Sequence, residues 1–125
     1  MIVAIVGSRK GLDWQRVRDE VERIISRAGV GTVVSGGALG VDRMAETVAL
    51  ARGKRVQVFY PDWRNNGRSA GFMRNQQIVD IADEVYALWD GQSRGTADTI
   101  ARAKKAGKPV FIVECGERAA KGDGA

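Results

Sequence analysis

The chain is 125 residues long, with 44% hydrophobic and 28% charged residues, a formal net charge of +5, one cysteine and no histidine. That is one domain's worth of ordinary globular composition, and no apolar run approaches the roughly 20 residues needed to span a bilayer, so no membrane partner is expected. A lone Cys115 excludes an intrachain disulfide and suits a reducing cytosol, and the absence of histidine removes His-based triads and most transition-metal sites.

The first element, IVAIV at 2–6, is too short and too plainly flanked for a signal peptide and reads as a buried strand. Asp13 then caps a helix whose apolar residues Trp14, Val17, Val21, Ile24, Ile25 and Ala28 share one face, with Gly29 as its stop. TVVS at 32–35 is the second strand. A helix from about Val41 turns Met44, Ala45, Val48 and Ala49 inward and ends at Gly53. RVQVFY at 55–60 is the third strand, followed by a long polar loop. A third helix over 72–82 buries Met73, Ile78, Ile81 and Ala82. EVYALW at 84–89 is the fourth strand, with Trp89 in the core. A fourth helix over 96–106, using Ala97, Ile100 and Ala101, meets the stop signal Gly107 and Pro109 before the fifth strand, PVFIVE at 109–114.

Near-continuous apolar strands alternating with helices imply an α/β fold with a parallel sheet covered on both faces. The expected architecture is a Rossmann-like three-layer sandwich with five strands in the order 3-2-1-4-5, the flavodoxin-like order 2-1-3-4-5 being the alternative. Residues 1–115 form a single domain, and 116–125, almost without large apolar residues, read as a flexible tail.

In open α/β sheets a ligand binds beyond the carboxyl ends of the strands. The loops there are GSRKG (7–11), GGALG (36–40), PDWRNNGRSAG (61–71) and DGQSRGT (90–96), and most of the mid-chain glycines crowd into them. Glycine admits close backbone approach and turns amide groups toward an anion, while Arg9, Arg64, Arg68, Arg74 and Arg94 fall in or beside the same loops and add guanidinium forks suited to phosphate. One shared crevice is therefore expected, walled by Gly7, Ser8 and Arg9, by Ser35, Gly36, Gly37 and Gly40, by Arg74 and Asn75, and by Asp90, Gly91, Ser93, Arg94, Gly95 and Thr96.

Asp42 argues against a phosphate on the second of these loops, since a carboxylate in the first helical turn repels one. It either caps the helix, pairs with Arg9 or Arg43, or meets a ribose hydroxyl. No acid precedes Asp98 in GQSRGT, which makes that loop the preferred phosphate site. Trp63, in the polar loop, either packs on the body of the domain or stacks on a base.

The ordered set GSR, SGGALGVDRMAE, DW followed by GRSAGFMRNQQIV, WDGQSRGTADTI and GKPV resembles the SLOG superfamily, specifically its YspA-related branch, from Val3 to Val113. The resemblance implies a Rossmann-like domain that binds a nucleotide or nucleotide-derived ligand (a nucleoside monophosphate, NAD or an ADP-ribose derivative) as a sensor or nucleotide-processing protein of bacteria or phages. Pairing of copies through helices, with a homodimer or higher homo-oligomer as the result, is implied too. No other cofactor is expected.

Two relatives within the superfamily supply rival readings. The Lonely Guy phosphoribohydrolases, which split the base from a nucleoside monophosphate, carry an arginine matched here by Arg74 and a PGGxGTxxE motif matched in part by Gly91, Gly95 and Thr96; where they have glutamate, this chain has Thr99. On that reading Arg74 and Asp90 are the candidate catalytic residues of a nucleotide N-glycosidic hydrolase, with Asp98 a substitute acid. The other relative, DNA-processing protein A, binds single-stranded DNA, for which loop arginines and Trp63 would serve as backbone contacts and a stacking platform.

Overall fold

The computed structural model describes residues 1–117. Five strands, β1 (Ile2–Gly7), β2 (Thr32–Ser35), β3 (Arg55–Val58), β4 (Glu84–Trp89) and β5 (Val110–Glu114), form one sheet in the order β3-β2-β1-β4-β5. Every pairing is parallel, with Ala4 opposite Val34 on one side and Val85 on the other. The expected order 3-2-1-4-5 is the one observed.

The sheet's two faces each carry a core. On one, Val3, Ile5 and Val33 meet α1 (Trp14–Ile25) and α2 (Val41–Ala51) through Val17, Val21, Ile24, Ile25, Ala45 and Ala49. On the other, Ala4, Val6, Val34, Val85 and Ala87 meet α4 (Ala70–Ile81) and α5 (Arg94–Lys105) through Ile78, Val79, Ile100 and Ala103. Alternate residues of β1 thus feed opposite cores, which is why its whole sequence is apolar. Each fully buried Val or Ile contributes about 1.5–3 kcal/mol.

Several local expectations are corrected. Helix α1 ends at Ile25, so Ala28 is exposed in the following turn, and Trp14 is 38% exposed at the helix start. The polar stretch after β3 is not a plain loop: Asp62 accepts from Asn65 N at 3.2 Å and caps a short helix, α3 (Trp63–Asn66). A 3-10 turn over Gly67–Ser69 then leads into α4, two residues before the predicted start. Met73, expected inside, is 48% exposed.

The inward face of α5 is Thr96, Thr99, Ile100 and Ala103, whereas Ala97 is half-buried and Ala101 exposed. Alanine tolerates either side of a helix, and Thr99 can be buried because its Oγ1 donates to the Gly95 carbonyl at 3.2 Å. Trp89 is half-buried, its indole Nε1 donating to the Ser93 carbonyl at 3.1 Å.

The described chain runs two residues past the expected boundary at 115. Gly116 forms an antiparallel bridge with Leu12, and Glu117 N donates to the Gly11 carbonyl at 2.8 Å. The rest of the expected tail lies outside the described residues. Among the described residues no helix is long and apolar enough to cross a membrane.

Candidate functional site

Strand order reverses at β1, and there a cleft of about 650 Å³ opens between the loops at the carboxyl ends of β1, β2, β3 and β4. Its lining takes Gly7 and Arg9 from the first loop and Gly36, Gly37 and Asp42 from the second. Tyr60, Trp63 and Arg68 come from the third, Phe72, Arg74 and Asn75 from α4, and Ser93, Arg94, Gly95, Thr96 and Thr99 from the start of α5. Among the expected site residues, Ser8, Ser35, Gly40, Asp90 and Gly91 do not line it.

The glycine loop after β2 is organised from within. Asp42, on the first turn of α2, sends its carboxylate back so that Oδ2 accepts from Gly36 N at 3.2 Å and Ala38 N at 3.1 Å. It is neither the N-cap, a position held by Gly40, nor a partner of Arg43, which lies 3.8 Å from Glu46. Burial pushes its pKa up to about 6, against the pull of the Ala38 amide and of Arg74. Its other oxygen, Oδ1, is buried and accepts no hydrogen bond among the described residues. Beneath the loop, the buried Ser35 hydroxyl donates to Glu46, a second acid on the same helix face.

Arg74 crosses the cleft floor from α4. Its Nη1 donates to the Gly36 carbonyl and its Nε to Asn75 Oδ1 at 2.9 Å. A Cβ on Gly36 would lie 2.5 Å from Arg74 Nη1 and 2.9 Å from Asp42 Oδ2, so this position has to be glycine for the arginine to reach the loop. Burial lowers the Arg74 pKa, opposed by Asp42. Among the described residues no carboxylate forms a salt bridge with it, which leaves a half-buried cation facing the cleft with donors to spare.

Asn75, 5% exposed, ties α4 to α5 by donating to Asp98 Oδ2 at 3.0 Å and to the Gly95 carbonyl at 3.3 Å. Asp98 also accepts from Arg102 Nε at 2.7 Å, so it is spent on this junction and does not line the cleft. The first turn of α5 contains no acid and its N-cap, Ser93, makes no capping hydrogen bond, which leaves the amides of that turn open toward the cleft beside Arg94.

Asp90 proves to be a turn organiser. Its Oδ1 accepts from Gln92 N and Ser93 N, both at 2.8 Å, and its own amide donates to Ser8 Oγ at 3.3 Å. Desolvation raises its pKa, but the hydrogen bonds it accepts, those of the Ser93 and Gln92 amides foremost, outweigh it and hold the carboxyl below the ordinary range. Its geometry is that of a brace for the start of α5, not of an acid offered to a ligand in the cleft.

An aromatic rim completes the site. Tyr60, Trp63 and Phe72 are 68%, 60% and 48% exposed. Of the two readings for Trp63, packing on the body is disfavoured by that exposure. Tyr60 was hidden from sequence reading because FY at 59–60 continues the apolar alternation of the third strand, whereas β3 ends at Val58. Gly37, at φ +72°, leaves room for the Tyr60 ring, whose Cε1 is 2.5 Å from where a Cβ would stand. Among the described residues no three His, Cys, Asp or Glu side chains gather as a metal ion would need.

The profile of the YspA, cpYpsA-related SLOG family matches residues 1–66. Two solved structures share the fold, each with a TM-score of 0.72. One is DNA processing protein A from Streptococcus pneumoniae, 22% identical over 88% of this chain and 49% of that one. The other is DNA processing protein A from Helicobacter pylori, described with a single-stranded DNA binding mode, 24% identical over 95% of this chain and 66% of that one. This chain therefore spans about half of the first and just under two thirds of the second. No curated protein matches it.

Proposed function

The chain belongs to the YspA, cpYpsA-related SLOG family, and from that premise we propose that its cleft binds a nucleotide or nucleotide-derived ligand of the nucleoside monophosphate, NAD or ADP-ribose type. The observation that carries this reading is the pairing of two chemistries along one cleft: exposed aromatic faces at Tyr60, Trp63 and Phe72, and guanidinium groups at Arg9, Arg68, Arg74 and Arg94. A base stacks on the first and phosphate oxygens pair with the second. The open first turn of α5, with Arg94 at its start, is the phosphate end.

Binding is favoured over cleavage. The family's hydrolytic relatives would need an acid where Thr99 stands, and that residue is 1% exposed and bonded to its own helix. Asp90 and Asp98 are committed to amides and to Asn75 and Arg102, and Asp42 is the one acid on the cleft surface among the described residues. This fits a sensor or carrier of the ligand, with turnover as the alternative if Arg74 and one of these acids can meet it.

Thermal denaturation with AMP, NAD and ADP-ribose tests the reading. At a ligand concentration of about 100 Kd the stabilisation is about 2.7 kcal/mol, and no shift with any of the three at millimolar concentration overturns it.

A second reading, single-stranded DNA binding, draws on the fold shared with the two DNA processing proteins and on the net charge of +5. It requires affinity for oligonucleotides that falls steeply with salt, with a slope of about −0.7 per phosphate contacted. Its weakness is that several arginines outside the cleft are already paired, Arg23 with Glu20, Arg27 with Glu84 and Arg52 with Glu22.

A further inference from the structure

The two long walls of the cleft differ in electrical character. On the α4 and α5 side stand Arg74, Arg94 and an open helix start; on the β2 and α2 side stand Asp42 and, behind it, Glu46. A glycine loop of the second kind would ordinarily turn its amides to an anion, but Gly36 N and Ala38 N are already given to Asp42 Oδ2. Phosphate therefore finds two of that wall's amides already taken and meets a carboxylate beside them.

What that carboxylate does beyond holding the loop is visible in its second oxygen. The loop hydrogen bonds use Oδ2 alone, and an amide oxygen would serve them equally. Oδ1 is buried, accepts nothing among the described residues and belongs to a residue that lines the cleft. A buried carboxylate oxygen without a donor is costly, and an asparagine in its place would avoid the charge. The residue is 5% exposed, so solvent does not satisfy it. A small turn of the side chain toward the cleft it lines would bring that oxygen to a donor delivered by the ligand.

We infer that Asp42 accepts a hydrogen bond from a ribose hydroxyl of the bound nucleotide, so that the β2–α2 wall takes the sugar, the α5 start takes the phosphate, and the site discriminates ribonucleotides from their deoxy counterparts. This rests on the nucleotide reading above and fixes the orientation of the ligand within it. The sugar sits between the base on the aromatic rim and the phosphate at Arg94, with its diol edge toward Asp42.

Titration calorimetry with AMP, 2′-deoxy-AMP and 3′-deoxy-AMP tests it on the unaltered protein and on Asp42→Asn, in which the free oxygen becomes a donor. The expected result is that AMP binds about tenfold or more tighter than at least one deoxy analogue, and that Asp42→Asn binds AMP and that analogue about equally. Equal binding of all three nucleotides by the unaltered protein overturns the inference while leaving the nucleotide reading in place, as does discrimination that persists in Asp42→Asn. No binding of any of the three overturns this inference, and the nucleotide reading falls with it only if NAD and ADP-ribose also fail to bind. The comparison among ligands uses the unaltered protein, so it stands even if the variant folds poorly.

Discussion

Asp42 Oδ2 lies 3.2 Å from the amide nitrogen of Gly36, so the first amide of the glycine loop is satisfied inside the protein before any ligand arrives. The loop looks like an anion cradle in sequence, and in three dimensions two of its amides are already given to Asp42. A price in stability follows from the same contact, because the carboxylate that closes it is buried.

That cost is measurable as a pH dependence. The Asp42 carboxyl has a folded pKa of about 6 against an ordinary 3.8, so the folded state holds its proton more tightly than the unfolded chain. The resulting stability is fully present below about pH 4 and is lost as pH rises through about 6, the total being on the order of 3 kcal/mol. Denaturant unfolding of the protein and of Asp42→Asn should show the variant more stable by about 1–3 kcal/mol at pH 7, with the difference shrinking toward pH 4. A difference that does not change with pH would show that the carboxyl is not perturbed.

Gly36→Ala tests the Arg74 crossing. The added methyl would stand 2.5 Å from Arg74 Nη1, and the long side chain can swing away where backbone could not. The expected outcome is a modest stability loss of about 1–3 kcal/mol with ligand affinity reduced far more, read by calorimetry with ADP-ribose. Affinity left intact would mean that Arg74 has no part in binding.

Trp63→Ala separates binding from folding in the opposite way. The indole is 60% exposed, so its loss should change stability by less than about 0.5 kcal/mol. If a base stacks on it, nucleotide affinity falls by about 0.5–1.5 kcal/mol, and ligand quenching of the exposed tryptophan emission disappears. Unchanged quenching in the variant would point to Trp14 or Trp89 as the reporter and remove Trp63 from the site.

Asp90→Ala should act on structure first. Removing its carboxylate strands the Gln92 and Ser93 amides at the entrance to α5 and costs about 1 kcal/mol, measured by thermal denaturation at pH 7. Because its carboxyl is held below the ordinary range, its contribution is present at neutral pH and fades as the carboxyl protonates in acid. A variant of full stability with binding abolished would return Asp90 to the ligand.

The architecture was legible because parallel strands buried on both faces must be apolar throughout, and Ile2–Gly7 and Glu84–Trp89 are nearly so. The loops that would meet at one edge could be located for the same reason, and Arg9, Arg74, Asn75 and Arg94 do line the cleft. Periodicity fails where residue size carries no directional information: it turns Ala97 and Ala101 inward on α5, but Thr99 and Ala103 take that face. It fails again at Tyr60, where the hydrophobic pattern runs on past the end of β3. Asp42 could be located but not interpreted, since nothing in the spacing of residues 36, 38 and 42 says that the carboxylate folds back onto two amides.

The bridge between Leu12 and Gly116, reinforced by Asp13 N donating to the Cys115 carbonyl at 2.8 Å, joins the loop that follows the first strand to the residues that follow the last. The segment carrying Gly7 and Arg9 is thus fastened by a contact between distant parts of the sequence, of the kind that forms late because loop closure must be met first. A nascent chain would lack this fastening until β5 had been made and docked. On this topology the wall of the cleft that carries Arg9 is fastened only once the last strand has docked.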